Sequence, residues 1–222
     1  MQLGPYELNT IVTGDARELS KAIPDESVDL IFTDPMYDRL DDYRWLAETA
    51  LRILKPDSAL LVWLGIGYLP EVINALATFL SFRWQLIDRR LGQRPDPFLG
   101  WGFTKYAPCL WFEKGKSKLS TPTVDLLESI TVGGMNFNHQ WTKNPRASHD
   151  WIEDFTKPDS MIFDPFTGGG TVPAVCKMLG RNYLAFEIDP DTAERARERV
   201  ANTQPPLFVM PPEQLTLDTR PV

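Results

Sequence analysis

Two Asp-Pro pairs, each at the end of an apolar run, are the residues of this sequence best suited to do chemistry. The acids are Asp34 and Asp164. A glycine-rich turn follows Asp164, where glycines let the backbone approach a ligand closely and the start of the next predicted helix favours negative charge. A further apolar run ends in Glu187, about 20 residues on, where nucleoside-binding βαβ units carry a ribose-binding carboxylate. The spacing therefore predicts a site for a nucleoside-bearing cofactor.

The elements that must position these residues alternate between strands and helices. This alternation predicts an α/β fold with a mostly parallel sheet covered by helices on both faces. Ligands of such sheets bind outside the carboxyl ends of the strands, so Asp34 and Asp164 would face one crevice if their strands are neighbours. The predicted strands are 8–14, 28–33, 58–64, 83–88, 107–113, the run before Asp164, and 182–187, and the predicted helices are 15–22, 41–54, 70–79, 150–155, 172–179 and 191–202.

Length and composition restrict the class of protein. The 222 residues suit one domain with a full core. The two cysteines, Cys109 and Cys176, lie far apart inside apolar runs, which disfavours both a disulfide framework and a metal site. No apolar run approaches ~20 residues and no leader pattern is present, so we expect no membrane span and a cytoplasmic location.

The distribution of charge is uneven. The net charge of −7 argues against a protein that coats nucleic acid non-specifically. Residues 89–118, however, contain seven cations and two acids, a net charge of +5. This segment predicts either a local basic groove or a solvated face with scattered lysines. Residues 92–106 and 114–144 are rich in Gly, Pro, Asn and Trp and are predicted to be long functional loops or a small insert.

Both Asp-Pro segments resemble motifs of the amino-methyltransferases that use S-adenosylmethionine and act on exocyclic nitrogens of DNA bases. Their cofactor motif is similar to Asp164-Pro165-Phe166-x-Gly168-x-Gly170-Thr171, and their catalytic Asp-Pro-Pro-Tyr is similar to Asp34-Pro35-Met36-Tyr37. The resemblance spans roughly residues 12–202, and the late cofactor motif resembles the permuted β-type order. It implies a Rossmann-like class I methyltransferase fold in one domain, 1–204, with a Pro-rich tail, 205–222.

The resemblance also implies a mechanism, in which the methyl group passes directly to a flipped-out base of double-stranded DNA. Hydrogen bonds from the base amine to the Asp34 side chain and the Pro35 carbonyl would localise the nitrogen lone pair, and Tyr37 would stack on the base. No metal is required. Met36 replaces the second proline of the motif, and we expect activity to be retained because these groups are kept.

The cofactor site that the resemblance implies contains eight residues of this sequence. Glu187 would bind the ribose hydroxyls, Asp15 the adenine amine, and Lys143 would lie near the methionine end. The pocket itself would be shaped by Asp164, Phe166, Gly168 and Gly170, with Thr171 at the start of the helix.

Recognition of DNA is expected in a target-recognition insert near 89–142. The expected phosphate contacts are Arg89, Arg90, Arg94 and Lys105. Adenine N6 is favoured as the target because the catalytic motif begins with Asp, and cytosine N4 is the alternative. A catalytically weak nucleic-acid-binding relative, an RNA or protein substrate, and a homodimer are further hypotheses. An NAD-dependent dehydrogenase is disfavoured because no Gly-x-Gly-x-x-Gly follows an N-terminal strand.

Overall fold

Strands and helices alternate along the chain in the computed structural model, which describes residues 1–91, 96–98, 102–130 and 145–204. The strands are β1 (Gln2–Leu3), β2 (Tyr6–Glu7), β3 (Thr10–Thr13), β4 (Val28–Thr33), β5 (Leu54–Trp63), β6 (Ser81–Leu91), β7 (Asp96–Phe98), β8 (Gly102–Thr104), β9 (Tyr106–Lys114), β10 (Leu126–Ile130), β11 (Met161–Asp164) and β12 (Asn182–Glu187). The helices are α1 (Ala16–Leu19), α2 (Leu40–Ile53), α3 (Leu69–Leu76), α4 (Pro145–Phe155), α5 (Thr171–Leu179) and α6 (Pro190–Asn202), with short 3-10 turns at Ser20–Ala22 and Ile66–Tyr68.

Eight strands form the central sheet, in the order β10-β6-β9-β5-β4-β11-β12-β3. Neighbouring strands pair in parallel, except that β9 runs antiparallel to both β5 and β6. The mostly parallel sheet predicted from the sequence is therefore confirmed. In addition, β1 pairs with β2 and β7 with β8 in two small antiparallel ribbons.

The two strands that end in Asp-Pro are neighbours, as the predicted crevice requires. β4 pairs with β11 through Leu30 with Ile162 and Ile31 with Phe163. From β4 the chain crosses through α2 to β5, whereas from β11 it crosses through α5 to β12 in the opposite direction. Such a topological switch point leaves a crevice outside the carboxyl ends of the two strands, where α/β proteins bind their ligands.

Helices cover both faces of the sheet and bury an apolar core on each. The face under α1, α2 and α3 packs residues such as Tyr43 and Leu46 against Ile31. The face under α4, α5 and α6 packs Trp151 against Trp63, with ring centroids 5.3 Å apart. Because both faces are covered, the central strands are continuous apolar runs, as in the sequence of β4.

The structure corrects one part of the prediction. Residues 114–144 were expected to be loop or insert, but Leu126–Ile130 form β10, which extends the central sheet beside β6. The strand joins the sheet only through pairing with residues 87–91, a long-range contact that local periodicity does not reveal. Helix α4 also begins five residues before the predicted start at 150.

None of the helices in the described part of the chain is long and apolar enough to cross a membrane. The tail from 205 onward, named in the sequence prediction, lies outside the described residues.

Candidate active site

Four neighbouring parallel strands each deliver an acid to the same edge of the sheet. Asp34 follows β4, Asp164 ends β11, Glu187 ends β12, and Asp15 lies two residues after β3. Strands lie about 4.8 Å apart in a sheet, so the row spans roughly 14 Å. The acids singled out in the sequence therefore form one line along the carboxyl edge.

A cavity of about 510 Å³ opens at this edge, between the loop after β4 and the glycine turn after β11. The expected site residues that line it are Asp34, Pro35, Met36, Tyr37, Asp164, Phe166, Gly168 and Thr171. The two sites recognised separately in the sequence thus share one cavity, large enough for a ligand of cofactor size.

Three other expected cofactor residues do not line this cavity. One carboxylate oxygen of Glu187 accepts a hydrogen bond from the amide of Gly168 in the glycine turn (2.9 Å), and the other accepts one from the amide of Asp189 (3.0 Å). Asp15 is exposed and caps α1 by accepting a hydrogen bond from the Arg17 amide (2.8 Å). Gly170 packs against α6. The carboxylate of Glu187 therefore holds the backbone of the glycine turn through the Gly168 amide.

The two glycines of the turn have left-handed backbone conformations for different reasons. Gly168, at φ +47°, has no heavy atom within 4 Å of the position a Cβ would take, apart from its own chain neighbours. Gly170, at φ +74°, has the Ala196 Cβ only 3.0 Å from that position. Gly168 therefore leaves space on the cavity side, whereas Gly170 allows α6 to approach the turn.

These surroundings predict opposite phenotypes for two alanine variants. Both carry the cost of a left-handed non-glycine residue, about 1 kcal/mol. Gly170→Ala should show the larger fall in unfolding temperature without ligand, because its methyl collides with α6. Gly168→Ala should bind S-adenosylmethionine, the cofactor that the motifs imply, about tenfold more weakly in calorimetry. Equal cofactor affinity in Gly168→Ala and wild type would show that the ligand lies elsewhere.

Asp164 is buried in the floor of the cavity. Thr33 Oγ1 donates a hydrogen bond to Asp164 Oδ1 (2.7 Å). The amide of Phe166 lies 3.3 Å from each of these two atoms and donates to both. Burial, followed by the nearby charge of Asp34, outweighs these hydrogen bonds and raises the pKa of Asp164 to about 7. The strand ends of β4 and β11 are therefore joined by a carboxyl group that titrates near neutral pH.

Tyr37 forms one wall of the cavity. A Cβ on Gly65 would lie 2.9 Å from Tyr37 Cδ2, so the absence of a side chain at 65 is what admits the ring. Burial, followed by the negative charge of Asp34, raises the pKa of the Tyr37 phenol well above its ordinary value. The ring is therefore neutral and is held in place beside Asp34.

Ser148 is a cavity residue that the sequence reasoning missed. It lies in the first turns of α4, is 1% exposed, and its Oγ has no hydrogen-bond partner among the described residues. A buried hydroxyl without a partner is costly, which makes Ser148 a candidate contact for a polar group of a ligand. No motif in the sequence marks Ser148, and only its burial beside the cavity draws attention to it.

The expected DNA contacts lie near the end of β6. Arg89 forms an ion pair with Glu128 (2.7 Å), and the Arg90 Nε lies 3.9 Å from a carboxylate oxygen of Asp88. Lys105 is exposed, and its backbone carbonyl accepts a hydrogen bond from the Arg90 amide (2.9 Å). Arg94 and Lys143 lie outside the described residues.

Comparison with known proteins agrees with the architecture. A model of the DNA methylase family matches residues 28–198. The type II methyltransferase M.HinfI of Haemophilus influenzae is 25% identical over 254 residues, which cover 89% of this chain and 70% of the relative. The structure of M1.HpyAVI in complex with S-adenosylmethionine superposes with a TM-score of 0.74 at 22% identity, covering 86% of this chain and 98% of that one.

A second solved structure, the cytosine-N4-specific PvuII DNA methyltransferase, superposes with a TM-score of 0.76 at 18% identity, covering 85% of each chain. Together these structures confirm the class I methyltransferase fold expected from the motifs. Because the family match covers most of the chain, this protein belongs to the S-adenosylmethionine-dependent DNA amino-methyltransferases.

Proposed function

We propose that this protein transfers a methyl group from S-adenosylmethionine to the N6 amine of adenine in double-stranded DNA, on a base flipped out of the helix. The observation that carries the proposal is the single cavity shared by the Asp34 loop and the Gly168 turn. When bound, S-adenosylmethionine supplies an electrophilic methyl group on a sulfonium centre. Direct transfer requires donor and acceptor to meet in one enclosed space, which this cavity provides.

The residues around the glycine turn suit that cofactor. Gly168 leaves room for close approach of a ligand, and Ser148 offers a buried hydroxyl with no other partner among the described residues. We assign Asp164, Phe166, Gly168, Gly170, Thr171 and Ser148 to the cofactor pocket, Glu187 to the ribose, Asp15 to the adenine amine, and Lys143 to the methionine end. In this assignment the cofactor lies along the row of acids, with its adenine toward Asp15, its ribose at Glu187 and its methionine part toward Asp164.

The residues of the β4 loop would activate and hold the target base. The Asp34 carboxylate and the Pro35 carbonyl accept hydrogen bonds from the base amine, which concentrates the lone pair on nitrogen. The same carboxylate can take the proton that the nitrogen loses after transfer. Tyr37, neutral and fixed against Gly65, would stack on the base. The expected DNA contacts Arg89, Arg90, Arg94 and Lys105 would make binding dependent on salt.

The choice of adenine rests on the acid at the start of the catalytic segment. The similar fold of the cytosine-N4-specific PvuII enzyme keeps cytosine N4 as the alternative target. The decisive experiment digests methylated DNA to nucleosides and identifies the product by mass. We expect N6-methyl-2′-deoxyadenosine, and N4-methyl-2′-deoxycytidine would overturn the adenine assignment. Methylation-sensitive sequencing of DNA from expressing cells would give the recognition site.

Replacing Met36 by the proline that the family motif carries should leave activity within about threefold of wild type. The Met36 side chain is 58% exposed, and its amide donates no hydrogen bond among the described residues. Substitutions at such positions change free energies by about 0.5 kcal/mol. Initial rates with labelled S-adenosylmethionine measure the effect.

Tyr37→Ala, which loses base stacking, is the contrasting variant, and its initial rate should fall at least tenfold. A large loss in Met36→Pro would show that the loop is built around methionine.

A further inference from the structure

The side chains near the end of β6 divide between the two faces of the sheet. Leu86 packs in the core under α4, in the same cluster as Trp63 and Trp151, and side chains alternate along a strand. Asp88 and Arg90 therefore lie on the face of α4 and of the cavity wall residue Trp63. Arg89 lies on the opposite face and pairs there with Glu128. Two arginines that are adjacent in sequence thus have different surroundings.

A buried acid holds Arg90. Asp88 is 1% exposed and accepts a hydrogen bond from the hydroxyl of Ser129 on β10. The Arg90 Nε lies 3.9 Å from Asp88 Oδ2, and the Arg90 side chain is 24% exposed. A buried carboxylate is stable only with such partners. Among the described residues Arg90 has no other ion pair or side-chain hydrogen bond, and a guanidinium carries five N–H donors.

The position of Arg90 relates it to the catalytic loop. Asp88 pairs in register with Ala107 of β9. The next residue of β9, Pro108, accepts a hydrogen bond from the amide of Leu64. Leu64 immediately precedes Gly65, against which the Tyr37 ring packs. Arg90 lies two residues further toward the carboxyl edge. Its positive charge acts on the Tyr37 phenol, whose pKa it lowers against the effect of burial. Arg90 therefore lies toward the carboxyl edge of the sheet, where its charge acts on Tyr37 of the catalytic loop.

We propose that the guanidinium of Arg90 binds the phosphate next to the flipped-out nucleotide, and that Asp88 and Ser129 position it. The inference rests on the base-flipping reaction proposed above. A base held between Asp34 and Tyr37 leaves its sugar and phosphate at the mouth of the cavity. A guanidinium binds phosphate through two parallel hydrogen bonds, and a fixed one orients the backbone as well as neutralising it. We expect Arg89, which pairs with Glu128 on the opposite face, to contact phosphates other than those beside the flipped-out nucleotide.

A duplex with a 2-aminopurine opposite an abasic site tests this contact without knowledge of the recognition sequence, because an unpaired base flips at little cost. A second duplex carries uncharged methylphosphonates on both sides of that base. Wild type and Arg89→Gln should bind the methylphosphonate duplex about tenfold more weakly than the phosphate duplex. Arg90→Gln should bind the two duplexes equally. It should also give a smaller rise in 2-aminopurine fluorescence than Arg89→Gln, although both variants lose one charge.

Ser129→Ala tests the positioning role with less risk to folding than a change at Asp88. It should keep the unfolding temperature within a few degrees and show a reduced, not abolished, preference for the phosphate duplex. The proposal is overturned if Arg90→Gln prefers the phosphate duplex as strongly as Arg89→Gln does, or if wild type shows no preference. These binding readouts need no methyl transfer. A wild type that discriminates the duplexes but methylates no DNA would overturn the proposed reaction and leave the phosphate contact standing.

Discussion

Asp34→Ala should reduce methyl transfer about 10³-fold while leaving the affinity for S-adenosylmethionine nearly unchanged. The carboxylate lines the cavity beside Tyr37 and is the group proposed to accept a hydrogen bond from the base amine. Removing one positioned polar group of this kind typically costs about 10²–10³ in rate. Single-turnover transfer from labelled cofactor measures the chemical step, and calorimetry measures cofactor binding.

Asp41→Ala provides the matched control, because Asp41 is an exposed acid in the first turn of α2, shortly after the same loop, and does not line this cavity. It removes the same charge and should keep a rate close to that of wild type. Two results would contradict the assignment of Asp34. One is an equal loss in both variants, which would indicate a general effect of charge. The other is a loss of cofactor binding in Asp34→Ala that accounts for the whole fall in rate.

Asp164→Asn should separate stability from cofactor binding. Asparagine keeps the shape of the protonated acid and an oxygen for the Thr33 hydrogen bond. The folded-state pKa of Asp164 is raised from its ordinary value of 3.8 to about 7. A raised carboxyl pKa contributes stability that is fully present below pH ~4 and is lost as the pH rises through ~7. The variant avoids this loss, so above neutral pH it should unfold roughly 5 °C higher than wild type.

Cofactor affinity should change in the opposite direction in the same variant. S-adenosylmethionine is cationic at its sulfonium and ammonium groups, so it favours an ionised Asp164 in the cofactor pocket. Wild-type affinity should therefore rise as the pH increases through ~7, whereas Asp164→Asn should bind at least tenfold more weakly at pH 8 with a flatter profile. S-adenosylhomocysteine, whose sulfur is uncharged, is the control ligand and should show a weaker pH dependence. Identical pH profiles for the two proteins would refute the role of Asp164.

Many of the strands and helices could be predicted because they depend on the local pattern of apolar and polar residues. β4 and β12 have the predicted bounds, since strands buried on both faces are mostly apolar runs. β10 could not be predicted, because Leu126–Ile130 become a strand only through pairing with β6. The pairing of β10 with β6 matters for the site because it places Ser129 within hydrogen-bonding distance of Asp88, the acid that pairs with Arg90.

The candidate site shows the same division. Asp34 and the glycine turn were recognisable because each is a short motif at a strand end, and Asp-Pro and Gly have strong local meaning there. Ser148 carried no such signal, because its importance lies in burial beside the cavity without a partner among the described residues. The raised pKa of Asp164 also depends on distant burial and on the charge of Asp34.

The sequence by itself determined the class of protein, since two strand-end motifs and their order sufficed to indicate a methyltransferase that acts on DNA amines. Only the tertiary structure decided which groups work together. It joined Asp34 and Gly168 in one cavity, assigned Arg89 and Arg90 to opposite faces, and buried Asp164 until its protonation became sensitive near neutral pH. The physical reason is that motifs are encoded by neighbours in the chain, whereas distance, burial and electrostatic coupling are set by residues that meet only when the sheet forms.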